Sequence, residues 1–165
     1  MAEARSKFDP LGVLGTLDRH RVAYILVGGF ARVVRGTEEV TRGIDITPST
    51  KPDNLHKLEQ ALRDLGARSA DGREHAADDL LGEPMEFHSD RGAVKIVAEP
   101  AGTRGYDDLR RAATREPLGR GLRPSVASTE DLARMIAARG REEDRAKLRQ
   151  LRRLAELERG IALEL

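Results

Sequence analysis

The chain of 165 residues contains no cysteine and no tryptophan, and aromatic residues make up only 3% of it. The absence of cysteine excludes disulfide bonds and thiolate metal sites, and it fits a reducing cytoplasm. Because aromatic side chains are so few, the core has to be built from Leu, Val, Ile and Ala. We therefore expect a cytoplasmic protein with an aliphatic core.

Two further absences concern net charge and long apolar runs. The formal net charge is only +1 although 35% of the residues are charged. The overall charge thus gives no argument for nucleic-acid binding, but the sequence does not exclude binding through a local basic patch. No apolar run approaches the ~20 residues of a membrane helix, so we expect no membrane partner. A chain of this length typically forms about one domain.

The most informative segment is an apolar run that leads into a pair of glycines. The continuous apolar residues 23–27 predict a buried strand. Gly28 and Gly29 then allow a sharp turn, and residues 30–35 predict a short helix that ends at Gly36. A second strand is predicted at 44–47, where Ile44 and Ile46 alternate with polar residues that include Asp45.

The remaining elements follow from apolar periodicity and from turn and cap residues. Further strands are predicted at 85–89, 93–98 and 122–127, and a loop at 70–83. Helices are predicted at 10–20, with Asp9 as N-cap, and at 52–65, 106–113 and 132–139, followed by a terminal amphipathic helix. Ser128 is the expected N-cap of the helix at 132–139, and Gly140 its end. The terminal helix carries a stripe of Leu148, Leu151, Leu154 and Leu157.

Four ordered segments of this chain carry a family resemblance. They are 27–29 (Val-Gly-Gly), 105–109 (Gly-Tyr-Asp-Asp-Leu), 127–135 (Ala-Ser-Thr-Glu-Asp-Leu-Ala-Arg-Met) and 139–144 (Arg-Gly-Arg-Glu-Glu-Asp). Together they resemble the nucleotidyltransferase fold of the DNA polymerase beta superfamily, especially the small bacterial enzymes related to abortive-infection toxins. The resemblance implies an α+β fold, with a mixed sheet flanked by helices and with C-terminal helices. With the order of the apolar runs, it predicts that the strands at 44–47 and 93–98 are neighbours in that sheet. It divides the chain into a core at 1–127 and a helical segment at 128–165 that packs on it.

The same resemblance implies where a nucleotide would bind. In the family, backbone amides at the glycine pair and the following helix N-terminus receive the nucleotide phosphates. The expected nucleotide-binding residues here are Gly28, Gly29, Arg42, Asp45 and Lys95. Asp45 is also the remnant of the catalytic set that the resemblance implies.

Three positions depart from the family pattern. The family carries Asp-x-Asp on the second strand and a third acid on a later strand, and these carboxylates hold two Mg²⁺ ions. This chain has Gly43 at the first of those positions, Asp45 at the second and Lys95 at the third. Ile136 stands where the family has a lysine. We therefore expect no metal or other cofactor, with Mg²⁺ and a nucleoside triphosphate as cofactors only if the protein is active.

Three functions remain open from the sequence. The favoured one is a nucleotidyltransferase-like protein that has lost two-metal catalysis and acts by binding a nucleotide, an RNA or a protein partner. The second is an active enzyme that moves a nucleoside monophosphate to a tRNA, a protein or a small-molecule hydroxyl. The third is a structural subunit that pairs with an active paralogue, or a toxin–antitoxin-type partner. A protein partner or a homodimer is thus left open by the sequence.

Other charged residues offer alternatives for the site. Glu86 and His88 share a strand face and could form a replacement metal site with Asp45, but a solvated strand face is the favoured interpretation. Glu38 and Glu39 lie just before the second strand and could swing in as relocated ligands, but we expect them to form an exposed acidic turn. The last two helices contain many basic residues. These could form a strip that binds phosphates or RNA, or they could form ion pairs with neighbouring acidic residues of the same helices. The basic residues are Arg139, Arg141, Arg145, Lys147, Arg149, Arg152 and Arg153.

Overall fold

The structure is a computed structural model that describes residues 8–72 and 76–164, and in these ranges the chain forms seven strands and six α-helices. The strands are β1 (Tyr24–Val27), β2 (Gly43–Pro48), β3 (Arg68–Ser69), β4 (Met85–Ser89), β5 (Gly92–Ile96), β6 (Thr114–Arg115) and β7 (Ser125–Val126). The helices are α1 (Pro10–Arg19), α2 (Gly28–Arg35), α3 (Pro52–Asp64), α4 (Tyr106–Leu109), α5 (Thr129–Arg139) and α6 (Arg145–Glu164).

All seven strands belong to one mixed sheet, in the order β3-β4-β5-β2-β1-β7-β6. The pairs β2–β5 and β1–β7 are parallel, and the other pairs are antiparallel. Strands β2 and β5 are direct neighbours, as the sequence predicted for residues 44–47 and 93–98. The predicted fold class, a mixed sheet flanked by helices, is therefore confirmed.

Local sequence signals explain where the helices begin and what they bury. The Asp9 carboxylate accepts a hydrogen bond of 3.0 Å from the Gly12 backbone N–H, and Pro10 occupies the first turn of α1. Leu14 and Leu58, on α1 and α3, are fully buried in the same core cluster as the strand residues. The apolar periodicity thus predicted correctly that each of these helices buries one face.

Arg35 fastens α2 to the far end of the sheet. Its guanidinium donates hydrogen bonds to the carbonyl oxygens of Val126 and Ala127 at 2.9 and 3.0 Å. It also contacts the Glu116 carboxylate at 2.7 Å. Because these partners lie about eighty to ninety residues further along the chain, they fix the short strands β6 and β7 against α2.

Three predicted elements differ from the structure. Helix 106–113 ends at Leu109, because the chain then turns to pair Thr114–Arg115 with β7. Strand 122–127 is reduced to Ser125–Val126, since Pro124 has no N–H for a ladder bond. In the predicted loop 70–83, residues Ala77–Leu81 form a 3₁₀ turn that buries Leu80. Residues 73–75 of that loop lie outside the described ranges.

The C-terminal helices begin as predicted, but their apolar stripe is only partly buried. The Ser128 hydroxyl accepts a hydrogen bond of 3.0 Å from the Asp131 N–H, and Gly140 ends α5 in a left-handed conformation. Leu151 is fully buried, whereas Leu157 is 55% exposed, so the stripe is covered within this chain at Leu151 and not at Leu157. Helix α6 contacts α5, and α5 contacts α2. The division into units at 1–127 and 128–165 stays a prediction.

A membrane-spanning helix would have to be both long and apolar, and no helix in the described ranges meets these two requirements.

Candidate functional site

Three charged side chains stand side by side across the middle of the sheet. Lys95 on β5 is in register with Asp45 on β2 and with Glu86 on β4. Residues that are paired across neighbouring strands point to the same face. Lys95 therefore stands between two acidic residues in the sheet, with Asp45 half-buried and Glu86 exposed.

Asp45 packs directly against the start of α2. Gly28 is the first residue of α2 and has a φ of +72°, which favours glycine. A Cβ at Gly28 would overlap the Asp45 carboxylate, so a larger residue does not fit there. The close approach places the carboxylate beside the N-terminus of α2, where the helix dipole favours negative charge.

An open cleft of about 680 Å³, its solvent-filled mouth included, begins at this point and runs to α5. Its floor is formed by Gly28, Asp45 and Lys95, the last two on neighbouring strands. Four basic residues and one acid line it, namely Arg32, Lys95, Arg139, Arg141 and Asp45. Its apolar wall consists of Val27, Val97, Pro100, Leu132, Met135 and Ile136, with Pro84 and Ala101. The cleft therefore combines cationic side chains with apolar surface, and α5 contributes to both.

The most buried cation of the cleft is held by Glu39. The Arg32 guanidinium donates two hydrogen bonds of 2.8 and 2.9 Å to the two Glu39 oxygens. The side chains of Arg32 and Glu39 are 8% and 10% exposed. The Thr37 hydroxyl donates a third bond of 2.7 Å to Glu39. The expectation of an exposed acidic turn is thus wrong for Glu39 and correct for its exposed neighbour Glu38.

A second buried acid, Asp144, holds another arginine of the cleft. Asp144 is 3% exposed and lies 3.3 Å from the Arg139 guanidinium. The Lys147 ammonium lies 3.8 Å from Asp144 and 3.7 Å from Glu39, so it joins the two acids. We name these five residues, Arg32, Glu39, Lys147, Asp144 and Arg139, the ionic relay.

Arg32 and Arg139 are thus neutralised by buried acids, and the other two cations of the cleft are not. Among the described residues, neither Lys95 nor Arg141 has an ion-pair partner within 4.0 Å. Burial raises the pKa of Asp45, and the carboxylate of Glu86 adds to this effect. The charges of Lys95, Arg32 and Arg139 oppose the rise, but the pKa stays above its ordinary value.

A second cavity adjoins the cleft on the other side of Asp45 and Lys95. It is lined by Gly29, Phe30, Thr41, Arg42, Gly43, Ile44, Asp45, Glu86, Ala93 and Lys95. Asp45 and Lys95 therefore line both the cleft and the second cavity. The structure places the five expected nucleotide-binding residues around these two spaces, with Gly28 in the cleft, and with Gly29 and Arg42 in the second cavity.

The residues present do not fit a pair of magnesium ions. Mg²⁺ requires several oxygen ligands in near-octahedral geometry. Within the ranges that the structure describes, no three His, Asp or Glu side chains are grouped so that they could hold a metal ion. His88 and Glu86 line another surface cavity together with Arg42, whereas Asp45 does not border it. Asp45, Glu86 and His88 therefore do not converge on one point.

Gly43, at the position where the resemblance expects an acid, has no room for a side chain. A Cβ at Gly43 would lie 2.5 Å from the carbonyl oxygen of Ala93 and 2.8 Å from its Cβ. Real Cβ atoms do not approach a carbonyl oxygen so closely, and the obstacle is backbone on the paired strand. At Gly43, where the family has an acid, β2 therefore packs too closely against β5 for any side chain.

Sequence reasoning missed two residues of the site. Arg32 was not singled out, and Glu39 was assigned to the surface. The available signal was an arginine among the apolar residues of a short helix, followed seven residues later by an acid. Arg139 and Arg141 were named only as part of a longer basic strip. Of that strip, these two residues and Lys147 reach the cleft or the ionic relay.

The opposed charges of Asp45 and Lys95 give a prediction on stability. Lys95→Ala should lower the free energy of unfolding by about 1 kcal/mol or less, because Lys95 is exposed and the pair is screened. Adding Asp45→Asn should recover that loss, since it removes the carboxylate left without compensation. Because the pKa of Asp45 is raised in the folded protein, its ionisation costs stability as the pH rises through that pKa.

Asp45→Asn alone should therefore stabilise the protein at neutral pH, and the gain should vanish in acid, where Asp45 is protonated. Urea unfolding of the single and double variants, measured in acid and at neutral pH, checks both statements. A double variant that is less stable than Lys95→Ala would contradict the coupling. His56→Ala, at an exposed position on α3, is a control.

Comparison with known proteins agrees with this architecture. Neither the protein-family models nor the curated proteins contain a match to the chain. Among solved structures, the crystal structure of the lincosamide antibiotic adenylyltransferase LnuA, bound to lincomycin, is similar with a TM-score of 0.60. The identity is 20%, and the match covers 90% of this chain and 99% of that chain. The likeness establishes a nucleotidyltransferase-type fold.

Proposed function

We propose that the chain binds a nucleotide or a similar phosphorylated ligand in the cleft without metal-dependent transfer. The observation that carries this proposal is the charge of the cleft, where Lys95 and Arg141 have no ion-pair partner among the described residues and the N-terminus of α2 borders the same space. Anions are favoured at such a helix N-terminus and near unpaired cations. The apolar wall on the α5 side offers a surface for a base or another flat ring.

The loss of transfer chemistry is part of the same proposal. Lys95 stands in register with Asp45, the residue expected to hold a metal. At an effective dielectric of about 20, an ammonium and a dication ~4 Å apart repel each other by roughly 8 kcal/mol before any relaxation. Asp45 alone cannot offset that repulsion together with the charge of two ions. The protein would then be a pseudoenzyme, in which Lys95 supplies the positive charge.

ATP binding with and without magnesium tests the proposal. Isothermal titration calorimetry in EDTA should detect ATP binding, and excess Mg²⁺ should not strengthen it. Added salt should weaken the binding, because exposed cations provide much of the attraction. Lys95→Ala and Arg141→Ala should each reduce the affinity, whereas Arg152→Ala, which removes an equal charge from the exposed side of α6, should not.

The second candidate is an active nucleotidyltransferase, and the similarity to LnuA is what favours it. LnuA is an adenylyltransferase, and the match spans nearly its whole length. Asp45 would then act with a displaced second acid such as Glu86, using Mg²⁺ and a nucleoside triphosphate. A lincosamide, another small hydroxylated compound, a tRNA or a protein would be the acceptor. Transfer of label from radioactive ATP that requires Mg²⁺, and that Asp45→Ala abolishes, would establish this function and overturn the first.

The third candidate is a protein partner, either a second copy or a toxin–antitoxin-type protein of a bacterial host. Leu157 and Ile161 favour it, because they lie one turn apart on α6 and are 55% and 60% exposed. Sedimentation of the pure protein distinguishes a homodimer from a monomer. Two predictions are the same for all three candidate functions. We expect a cytoplasmic location, and we expect residues 128–165 to pack on a core formed by residues 1–127.

A further inference from the structure

The cleft and the second cavity meet at Lys95 and continue in different directions. The cleft leads towards the arginines and the apolar wall of α5. The second cavity leads towards Phe30, Thr41 and Arg42 on the opposite side. The two glycines at the start of α2 line different spaces, since Gly28 borders the cleft and Gly29 borders the second cavity. A ligand centred at Lys95 therefore has space on both sides.

The charges at this junction limit the anion that can lie there. Arg32 and Arg139 are already paired with Glu39 and Asp144 through the ionic relay. Triphosphates carry several negative charges, and proteins usually balance them with Mg²⁺ as well as cationic side chains. Among the basic residues that the structure describes, only Lys95 borders both spaces, and Asp45 stands beside it. One ammonium next to one carboxylate suits an anion of low charge.

We propose that the preferred ligand is a phosphodiester, a phosphate that joins two organic groups, with the phosphate at Lys95 and one group in each cavity. This inference rests on the proposed function, because it names the class of nucleotide that the cleft takes. A phosphodiester carries a single negative charge, so it needs no metal ion and no further cation at the junction. The exposed ammonium of Lys95 and the first turn of α2 are the donors closest to that position.

The linings of the two spaces suit the two ends of such a ligand. Leu132, Met135 and Ile136 line the cleft with apolar surface from one helix, as a base or a similar ring requires. In the second cavity Phe30 offers an aromatic ring and Thr41 a hydroxyl. Arg42 is exposed there, and within the described residues its side chain has no ion-pair partner. The second group can therefore be polar, as a ribose or another sugar is.

The experiment compares four probes by calorimetry in EDTA: AMP, ATP, the AMP methyl ester and the dinucleoside monophosphate adenylyl-adenosine. Adenylyl-adenosine should bind about tenfold more tightly than AMP and more tightly than ATP. Its methylphosphonate analogue, which has the same shape and an uncharged linkage, should lose that advantage. Lys95→Ala should remove the difference between adenylyl-adenosine and AMP. Arg149→Ala, on an exposed position of α6, is the matched control.

Two further variants test the use of both cavities. Arg42→Ala should weaken adenylyl-adenosine binding about tenfold more than AMP binding, since only the dinucleoside reaches that side. Arg141→Ala should weaken both probes, because both occupy the cleft. The thermal midpoint of each variant confirms that it remains folded. Equal effects of Arg42→Ala on the two probes would overturn the inference.

The probes also distinguish an RNA phosphodiester from that of a nucleotidylated small molecule. They further distinguish failure of the phosphodiester inference from failure of the proposed nucleotide binding. Tighter binding of adenylyl-adenosine than of the AMP methyl ester indicates a dinucleotide step of RNA, and equal binding indicates a nucleotidylated small molecule. Either result supports the inference when both esters bind better than AMP. If ATP and AMP bind as well as the diesters or better, the inference fails and the proposed function stands. If no probe binds the folded protein, both are overturned.

Discussion

Replacing Glu39 with alanine should lower the free energy of unfolding by about 3–5 kcal/mol, the usual cost of breaking a buried ion pair. The substitution leaves the Arg32 guanidinium, 8% exposed, without the carboxylate that accepts its two hydrogen bonds. It also removes an acid that the Lys147 ammonium approaches to 3.7 Å. Chemical unfolding in urea, followed by circular dichroism, measures the loss.

Two variants make this result specific to the pair. Glu38→Ala changes the neighbouring exposed acid and should alter stability by less than about 0.5 kcal/mol. Arg32→Met with Glu39→Leu replaces both charges by apolar groups and should recover most of the loss, since no unpaired charge remains buried. If the double variant is as unstable as Glu39→Ala, the pair is not the cause.

The pH dependence follows from the same contacts. Burial alone raises the pKa of Glu39, but hydrogen bonds from Arg32 and Thr37 and the charges of Arg32 and Lys147 lower it below its ordinary value. A group with a depressed pKa stabilises the fold above its unfolded pKa, and this contribution is lost as the pH falls through the folded pKa. The difference in stability between wild type and Glu39→Ala should therefore shrink in acid.

Gly43→Asp should destabilise the protein by about 3 kcal/mol or more, because overpacking and a displaced strand are added to a buried charge. Any side chain at Gly43 meets the Ala93 carbonyl oxygen at 2.5 Å. The acids that the family resemblance expects therefore cannot be restored by substitution alone. Gly43→Asp with Lys95→Asp and Ile136→Lys should remain without magnesium-dependent transfer.

A glycine without neighbours provides the control for this prediction. Gly160 lies in α6, and a Cβ there would meet nothing within 4 Å. Gly160→Ala should raise stability by up to about 1 kcal/mol through helix propensity, whereas Gly43→Ala should lower it. Thermal unfolding of the two alanine variants separates the clash from the general effect of losing a glycine. A triple variant that folds with wild-type stability and binds Mg²⁺ would refute the argument from packing.

Most local features were fixed by the sequence. The glycine pair after an apolar run predicted the turn into α2, because only glycine adopts a φ of +72° easily. Ser128 predicted the start of α5, and the alternation of Ile44 and Ile46 predicted β2. Together with the family resemblance, these signals also predicted that Asp45 and Lys95 would lie on neighbouring strands. Each of these features depends on residues close together in the chain or on the order of strands.

The charges of the site were decided only by the tertiary structure. Glu39 is polar and lies in a loop, so local pattern assigned it to the surface, yet Arg32 and Lys147 bury it. Arg139 and Arg141 had the same sequence appearance as the exposed arginines of α6. The closeness of Gly43 to Ala93 depends on the spacing of two strands fifty residues apart. The reason is physical: helix and strand periodicity reports burial by neighbours along the chain, whereas ion pairs and backbone clearances depend on which distant segments meet.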